Sequence, residues 1–239
     1  EAIYESLPNY VKHAYIGNSP CVEIQGLEDY FILDAGSGLR ELGLDMLKRK
    51  EGSKTINLFL THFHWDHIMG FPFFVPAYLS KYAINFYSGH PDPEKRMAEQ
   101  QYPTHFPVEL QYMGAYKSFF TLNMANSIVL NDTKISIFPL RHPGGSYSYR
   151  FDFKNGKSLV YATDGEYPTK EMSEDKFHQY ANFFQDADLL IFDAMYTFSE
   201  SETNKEDWGH SSPNMGIELA IEGNVKHLAL FHHEPAHND

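Results

Sequence analysis

The stretch Leu58-Phe-Leu-Thr-His62-Phe-His64-Trp-Asp66-His67 places four metal-ligating side chains within six residues, directly after a short apolar run. Residues 56–60 are mostly apolar and end before Thr61, which predicts a buried strand. A strand end is a rigid position from which ligands can project. The stretch therefore predicts a metal site at one end of a sheet.

The spacing of these side chains suits two neighbouring metal ions. Imidazoles two residues apart on extended backbone point to the same side, so His62 and His64 can bind one ion together. Asp66 and His67 lie just past the turn and can reach a second ion. A third imidazole and a carboxylate between the ions are still needed, each at a strand end on the same edge of the fold.

Three downstream strands each end in a side chain that meets this need. The apolar runs at residues 135–140, 159–163 and 228–231 are followed, in that order, by His142, Asp164 and His232. Glycines 144 and 145 allow close backbone approach after the first of these ligands. Three separate strands that each finish in a ligand are hard to attribute to chance.

Apolar runs and turn-forming residues alternate along the chain and predict an α/β fold. Strands are predicted at residues 21–25, 30–33, 55–61, 83–87, 119–122, 127–130, 134–140, 146–153, 158–163, 188–192 and 225–231. Helices are predicted at 39–50, 170–185 and 213–223, the last with Ser212 as N-cap. Residues 90–114 lack periodicity. We interpret them as an insertion over the surface near the site, and the alternative is a packed connector.

Composition limits the partners and the location. A hydrophobic content of 42% can supply the core of one domain over residues 1–239, and no apolar run is long enough to span a bilayer. Cys21 is the only cysteine, which excludes an intramolecular disulfide and favours a cytoplasmic location. The formal net charge of −13 argues against binding to a long nucleic acid, because phosphate neutralisation needs clustered Lys and Arg. A small anionic substrate held by metals agrees with this charge.

Taken together, these residues resemble the metallo-β-lactamase superfamily, whose motif is His-x-His-x-Asp-His followed by a His, an Asp and a terminal His. The resemblance covers essentially the whole chain. It implies a four-layer αββα sandwich with two divalent metal ions, zinc first and manganese or iron as alternatives, in a cleft at one sheet edge. The implied ligands are His62, His64 and His142 for metal one, Asp66, His67 and His232 for metal two, and Asp164 as the bridge. The family's leading strand has only residues 1–19 as a candidate, which implies a truncated or divergent N-terminus.

Further motifs point to one branch of the superfamily. The second metal site lacks the cysteine of the dizinc β-lactamases. Trp208-Gly-His210-Ser-Ser-Pro resembles the His-Ser-Thr element of tRNase Z and cyclic phosphodiesterases, in which the histidine assists the leaving oxygen. Asp193, in Phe192-Asp-Ala-Met-Tyr196, is similar to the acidic residue of their His-Glu-Ala-Thr element. Two segments resemble bacterial metal-dependent hydrolases of this branch, namely Asp34-Ala-Gly-Ser-Gly-Leu-Arg-Glu-Leu-Gly43 and Leu230-Phe-His-His-Glu-Pro235. The resemblance also implies a homodimer.

The function predicted from the sequence is that of a dinuclear hydrolase acting on a small phosphodiester, such as a cyclic nucleotide, through a metal-bridging hydroxide. The predicted catalytic residues are Asp66, His210 and Asp193, with Asp193 orienting His210 as the acid for the leaving group. The enzymatic alternative is a carboxylic ester, thioester or lactone hydrolase. A tRNA 3′-processing endonuclease is disfavoured because the chain lacks a basic or Gly-Pro-rich arm, and a non-catalytic metal-bound sensing module is the remaining alternative.

The other histidines are less informative. His233 follows His232, so the register of the last ligand is ambiguous from the residues alone. Surface roles are predicted for His13, His90, His105, His178, His227 and His237. His105 would touch the substrate if residues 90–114 formed a lid.

Overall fold

The structure is a computed structural model that describes residues 17–49, 54–167, 172–203, 205–235 and 237, without the side chain of residue 202. The candidate leading strand falls almost wholly in residues 1–16, outside these ranges. The predicted helix limits at residues 50 and 170 lie outside them as well.

The strands of the described ranges form two mixed sheets. The first contains β1 (Val22–Ile24), β2 (Tyr30–Leu33), β3 (Thr55–Leu60), β4 (Ala83–Ser88) and β5 (Tyr116–Thr121), in that order. The second contains, from one edge to the other, β11 (Leu228–Phe231), β10 (Leu189–Asp193), β9 (Ser158–Ala162), β8 (Ser146–Asp152), β7 (Thr133–Leu140) and β6 (Ile128–Leu130). Strands β2 to β5 are parallel, and so are β9 to β11. The remaining neighbours are antiparallel.

Helices cover the outer faces of the two sheets. They are α1 (Gly38–Lys48), α2 (Trp65–Ile68), α3 (Pro93–Glu99), α4 (Glu174–Phe184), α5 (Phe198–Thr203) and α6 (Pro213–Glu222), with 3₁₀ turns at Phe71–Phe73, Val75–Tyr78 and Leu110–Tyr112. Ser212 precedes α6 as predicted, but its side chain does not cap the helix; the Ser173 side chain does cap α4. Within the described residues, no helix has both the length and the apolar character to cross a membrane.

Aromatic packing joins the two sheets face to face. The ring of Phe59 in β3 lies 4.9 Å from Tyr87 in its own sheet, and 5.6 Å and 5.1 Å from Tyr149 and Phe151 in the other sheet. All four side chains are buried, and burying each such ring contributes roughly 1.5–3 kcal/mol of stability. Alternation along the strands sends one set of side chains into this layer and the other set toward the helices.

The outer faces of the sheets are covered by separate apolar clusters. Leu39 and Met46 of α1 belong to the cluster on the first sheet, and Phe184 of α4 and Leu219 of α6 belong to the cluster on the second. Helix, sheet, sheet and helix therefore form four layers. The predicted αββα sandwich is confirmed.

The sandwich brings six strand ends to one edge. In the first sheet, β2 and β3 are parallel. In the second sheet, β7 and β9 are both antiparallel to β8, and β10 and β11 are parallel to β9, so these four strands run in the same direction. Across this edge, the Tyr161 hydroxyl donates to Asp34 Oδ2 at 3.0 Å and the amide of Tyr147 donates to the carbonyl of Thr61 at 3.1 Å. The carboxyl ends of both sheets thus meet at one place.

Residues 90–114 connect β4 to β5 as a packed segment. Met97 of α3, Gln101, Leu110 and Met113 are buried in it, and the Gln101 amide donates to the carbonyl of Val108 at 2.9 Å. The short helix α3 was not predicted. It has only about two turns, and it is stabilised by packing against β4 and β5. The outer rim of this segment borders a groove described below.

Close backbone contacts fix the ligand stretch against the turn after β2. The amide of Ala35 donates to the carbonyl of His67 at 2.7 Å, and the amide of Gly70 donates to the carbonyl of Ala35 at 2.9 Å. A Cβ atom on Gly70 would lie 1.9 Å from the carbonyl oxygen of Gly36, and neither backbone can move without breaking these bonds. Glycine at position 70 therefore permits the approach that positions the predicted metal ligands.

We expect Gly70→Ala to lower the free energy of unfolding by about 3 kcal/mol, the upper end of the range for overpacking. Chemical denaturation would measure it. The matched control is Gly156→Ala, where the new Cβ meets nothing within 4 Å and only the positive φ of 78° opposes it. A loss in Gly70→Ala no larger than in the control would contradict the steric explanation.

Candidate metal centre

All seven predicted ligands lie together at the strand-end edge. The candidate ligand atoms form groups in which all atoms lie within 4.8 Å of one another. One group consists of three imidazoles, and another consists of two imidazoles and two carboxylates. The first group is His62, His64 and His142, and the second is Asp66, His67, Asp164 and His232. A third group, which shares two members with the second, is Asp164, Asp193, His210 and His232. The structure thus places the predicted catalytic residues beside the predicted ligands.

Three of the strand-end residues adopt left-handed backbone conformations. Asp34, Asp164 and His232 have φ angles of 58°, 55° and 60°. Asp and His tolerate this region better than most non-glycine residues, although it still costs free energy. This conformation turns the chain sharply after β2, β9 and β11. The three side chains therefore point into the cluster at the sheet edge and do not continue the alternation of the strand.

A hydrogen-bond relay sets the tautomer of His62. The Thr61 hydroxyl donates to the Asp34 carboxylate at 3.0 Å, so it accepts from His62 Nδ1, which lies 3.0 Å away. The Nε2 atom of His62 then carries the lone pair. It is buried and has no hydrogen-bond partner among the described residues.

The same carboxylate fixes His67. The buried imidazole donates from Nδ1 to Asp34 Oδ2 at 2.8 Å, which leaves its Nε2 as the atom that can bind the predicted metal. Asp34 also accepts from the Thr61 amide at 2.8 Å and the Tyr161 hydroxyl at 3.0 Å. Asp34 was not predicted as a site residue, although it follows β2 in the way that the other ligands follow their strands. That repeated pattern could have identified it.

His142 is oriented by the loop that carries His210. Its Nδ1 donates to the carbonyl oxygen of Gly209 at 2.8 Å, and its Nε2 lies 3.0 Å from His64 Nδ1. A Cβ on Gly209 would lie 2.3 Å from the ring, and the φ of this residue is +87°. Only glycine therefore allows this contact, which sequence reasoning did not foresee.

Asp164 occupies the centre of the cluster. One of its oxygens is 3.1 Å from His67 Nε2, and the other is 3.8 Å from His62 Nε2 and 3.6 Å from His232 Nε2. The side chain is buried and accepts from the Thr163 hydroxyl at 2.6 Å. One carboxylate thus faces both groups of predicted ligands, a position that agrees with its predicted role as the bridge.

His232, and not His233, faces the cluster. Its Nε2 lies 3.3 Å from Asp66 Oδ2 and 3.3 Å from His67 Nε2, a position that agrees with its predicted role as the last ligand. The side chain of Asp66 is 45% exposed, so solvent reaches the second group of ligands from this side.

The electrostatic field of the cluster favours cations. Burial removes water from His62 and holds its pKa well below the usual value. Burial also opposes protonation of His67 and His232, yet the charge of Asp164 outweighs it, so the pKa of His67 lies well above its usual value and that of His232 rises to about 9. The pKa of Asp164 is well below its usual value: desolvation raises it, and the positive charge on His67 overcomes that effect.

The donor set fits divalent metal ions. Leaving a buried ring nitrogen such as His62 Nε2 without a partner costs about 1–3 kcal/mol, which a metal bond would offset. The Nε2 atoms of His67 and His232 lie 3.3 Å apart, close enough for both to bind one cation once each has lost its proton. Imidazoles with carboxylates suit zinc and also iron or manganese.

The predicted catalytic pair is in contact. His210 Nδ1 lies 2.8 Å from Asp193 Oδ2. Asp193 is fully buried and also accepts the amide protons of Asp164 at 2.9 Å, Met195 at 3.0 Å and Ser211 at 3.2 Å. These bonds fix the carboxylate, so it in turn fixes the imidazole ring.

The surface role predicted for His90 is wrong. His90 follows β4, is 6% exposed and contacts the carbonyl oxygen of Gly145 through Nε2 at 3.1 Å. His90 follows a strand of the first sheet and binds the glycine turn that follows His142, so it fixes the position of that turn. His105 lines the groove beside the ligand stretch, and His13 lies outside the described residues.

The fold and the cluster define a class of proteins: αββα hydrolases with a histidine- and aspartate-rich metal centre at the sheet edge. The chain belongs to the β-lactamase superfamily domain family, which matches residues 30–233. This membership makes the protein a metal-dependent hydrolase.

Individual proteins resemble the chain in sequence or in fold. Ribonuclease Z of Thermoplasma volcanium is 26% identical over 266 residues, covering 92% of this chain and 83% of the relative. The metallo-β-lactamase fold protein YhfI of Bacillus subtilis superposes with a TM-score of 0.69 at 18% identity, over 93% of this chain and 81% of that one. A diphosphatase from the PhnP family gives 0.65 at 20% identity, over 92% and 75%.

Because Asp34 fixes one imidazole of each ligand group, we expect Asp34→Asn to weaken metal binding about 10- to 100-fold. The amide nitrogen cannot accept the protons that the carboxylate accepts. Competition with a chromogenic chelator would measure the affinity. Asp92→Asn is the control, since Asp92 has a similar φ of 54° but lies exposed before α3. Unchanged affinity in Asp34→Asn would contradict the orienting role.

Proposed function

We propose that the protein is a dinuclear phosphodiesterase that hydrolyses a small phosphodiester such as a cyclic nucleotide. The observation that carries the proposal is the His210–Asp193 pair, 2.8 Å apart, beside a cluster that can hold two metals. A diester has a poor leaving group whose oxygen gains from a proton donor, and this pair supplies one.

The proposed ligands are those the sequence indicated, with Asp164 shared. His62, His64 and His142 hold the first ion, and Asp66, His67 and His232 hold the second. Two divalent ions, zinc by preference, supply an activated water of lowered pKa and neutralise charge on the phosphate oxygens.

The residues of the chain divide the remaining work. His210 donates Nδ1–H to Asp193, so Nε2 is the ring atom left to carry the proton that passes to the departing oxygen. The Asp193 carboxylate holds the ring in a fixed orientation for this transfer. Asp66, half exposed at the open side of the cluster, is the proposed carboxylate that orients the attacking water.

A tRNA 3′-processing endonuclease is the second candidate, because the curated relative from Thermoplasma volcanium is named ribonuclease Z. That name runs partly against the prediction that no long nucleic acid binds. The formal net charge of −13 still favours a small substrate, since each phosphate contact along an RNA needs a cation. A cytoplasmic location and a homodimer remain parts of the proposal.

A substrate panel on the metal-loaded protein would test the function. We expect turnover of bis-p-nitrophenyl phosphate and of at least one cyclic nucleotide, with much weaker activity on thioesters, lactones and a pre-tRNA transcript. Preference for a carbonyl substrate would make the enzymatic alternative correct, and precise cleavage of pre-tRNA would establish the endonuclease. No turnover on any substrate, with metals bound, would favour the sensing module.

A further inference from the structure

We propose that a groove beside the ligand stretch binds the aromatic base of a nucleoside phosphodiester while the phosphorus lies at the metal centre. The inference rests on the phosphodiesterase function proposed above and names its substrate class. It follows from the position, the aromatic walls and the charge of the groove.

The groove begins at the ligand stretch itself. It has a volume of about 700 Å³, with Trp65 and Phe73 on the side of α2 and Arg96 and Phe106 on the side of α3. Trp65 stands between His64 and Asp66 in the chain, so one wall of the groove comes from the same stretch as the predicted ligands. A volume of this size suits a ligand of several hundred cubic ångströms, the range of nucleosides and other small cofactors.

Large aromatic faces in the groove are open to solvent. Trp65 is 78% exposed and Phe73 is 54% exposed, although each has an apolar groove beside it. Phe106 packs edge-on against Phe73, with ring centres 5.5 Å apart and planes at 87°, and so holds that ring in place. Any nucleobase can stack on such faces, because every base presents a π-face.

Polar groups at the rim complement a base and its phosphate. The guanidinium of Arg96 lies 5.5 Å from the ring centre of Phe63, which positions a cation at the groove of an acidic protein. Gln100 and Glu99 of the same segment add donors and acceptors for the edge of a base. Planar faces, hydrogen-bonding groups and a cation next to a phosphate-binding centre together match a nucleotide.

The test reads base binding directly. The chain has two tryptophans, so Trp208→Phe leaves Trp65 as the sole fluorophore. In this variant, loaded with Zn²⁺, we expect saturable quenching of Trp65 emission by adenosine 5′-monophosphate. Ribose 5-phosphate, which carries the same phosphate without a base, should give no quenching at the same concentrations.

Two further variants locate the effect. Phe73→Ala in the same background should weaken the response to adenosine monophosphate about tenfold, through loss of one stacking face. The control is Tyr116→Ala, which removes a 72% exposed aromatic at the start of β5, away from the groove, and should leave the response unchanged. Equal quenching by both ligands, or equal behaviour of the two variants, would overturn the inference.

This outcome is separable from failure of the proposed function. Binding is measured without turnover, so a protein that binds adenosine monophosphate through Trp65 and hydrolyses no diester retains the groove assignment and loses the phosphodiesterase. A protein that hydrolyses bis-p-nitrophenyl phosphate without base-dependent quenching retains the function and loses the groove assignment.

Discussion

Asp164→Asn is expected to remove bound metal and to lower phosphodiester turnover by about a thousandfold. Among the described residues, Asp164 is the one carboxylate that faces both ligand groups, with oxygens 3.1 Å from His67 Nε2 and 3.8 Å from His62 Nε2. Replacing its charge by a neutral amide removes the attraction that offsets the burial of two dications. Lewis-acid stabilisation is worth several kcal/mol, which corresponds to a rate factor of this size.

The measurement pairs metal content, by elemental analysis after dialysis, with initial rates on a p-nitrophenyl diester. Asn tolerates the left-handed conformation at this position, so circular dichroism should show a folded protein. The control Asp132→Asn has the same kind of backbone, with a φ of 58°, and a side chain that is 66% exposed. If Asp164→Asn retained two metals and its activity, Asp164 would not be a ligand of the metal centre.

His210→Ala is expected to lower kcat by about 10²- to 10⁴-fold, the usual contribution of a positioned general acid, while leaving metal content intact. Its Nδ1 binds Asp193, which is not among the seven proposed ligands, so its removal breaks no proposed metal bond. The loss should be larger for a cyclic nucleotide than for a p-nitrophenyl ester, because nitrophenolate leaves without a proton.

His178→Ala provides the comparison, since this imidazole is 54% exposed and pairs with Glu222 on the surface. Loss of metal in His210→Ala would assign the residue to the metal centre instead of the leaving group. An equal loss of rate on both substrates would point to positioning of the substrate rather than proton donation.

Several elements could be predicted because their signals are local. Alternation and apolar runs located the strands, and β3 ends one residue before the predicted limit. The errors lie where packing overrides the local pattern. Strand β11 begins at Leu228 and not at 225, and β5 begins at Tyr116 and not at 119, because pairing with β10 and β4 sets these limits.

The orienting residues were harder to find from the sequence. Asp34 and Gly209 lie far along the chain from the imidazoles they contact, at His67 and His142, and the motifs that contain them give no sign of these contacts. The surface role of His90 was wrong for the same reason: a single histidine shows no sign of the carbonyl oxygen that binds it across the two sheets.

The sequence alone determined which side chains are available as ligands and that they follow strands, because residue type and periodicity are properties of the local chain. It also paired His210 with Asp193 through their motifs. Only the tertiary structure decided that these strand ends meet, that Asp34 sets the tautomers of His62 and His67, and that Trp65 faces a groove. Such facts depend on contacts between residues distant in sequence, and these form only when the two sheets pack against each other.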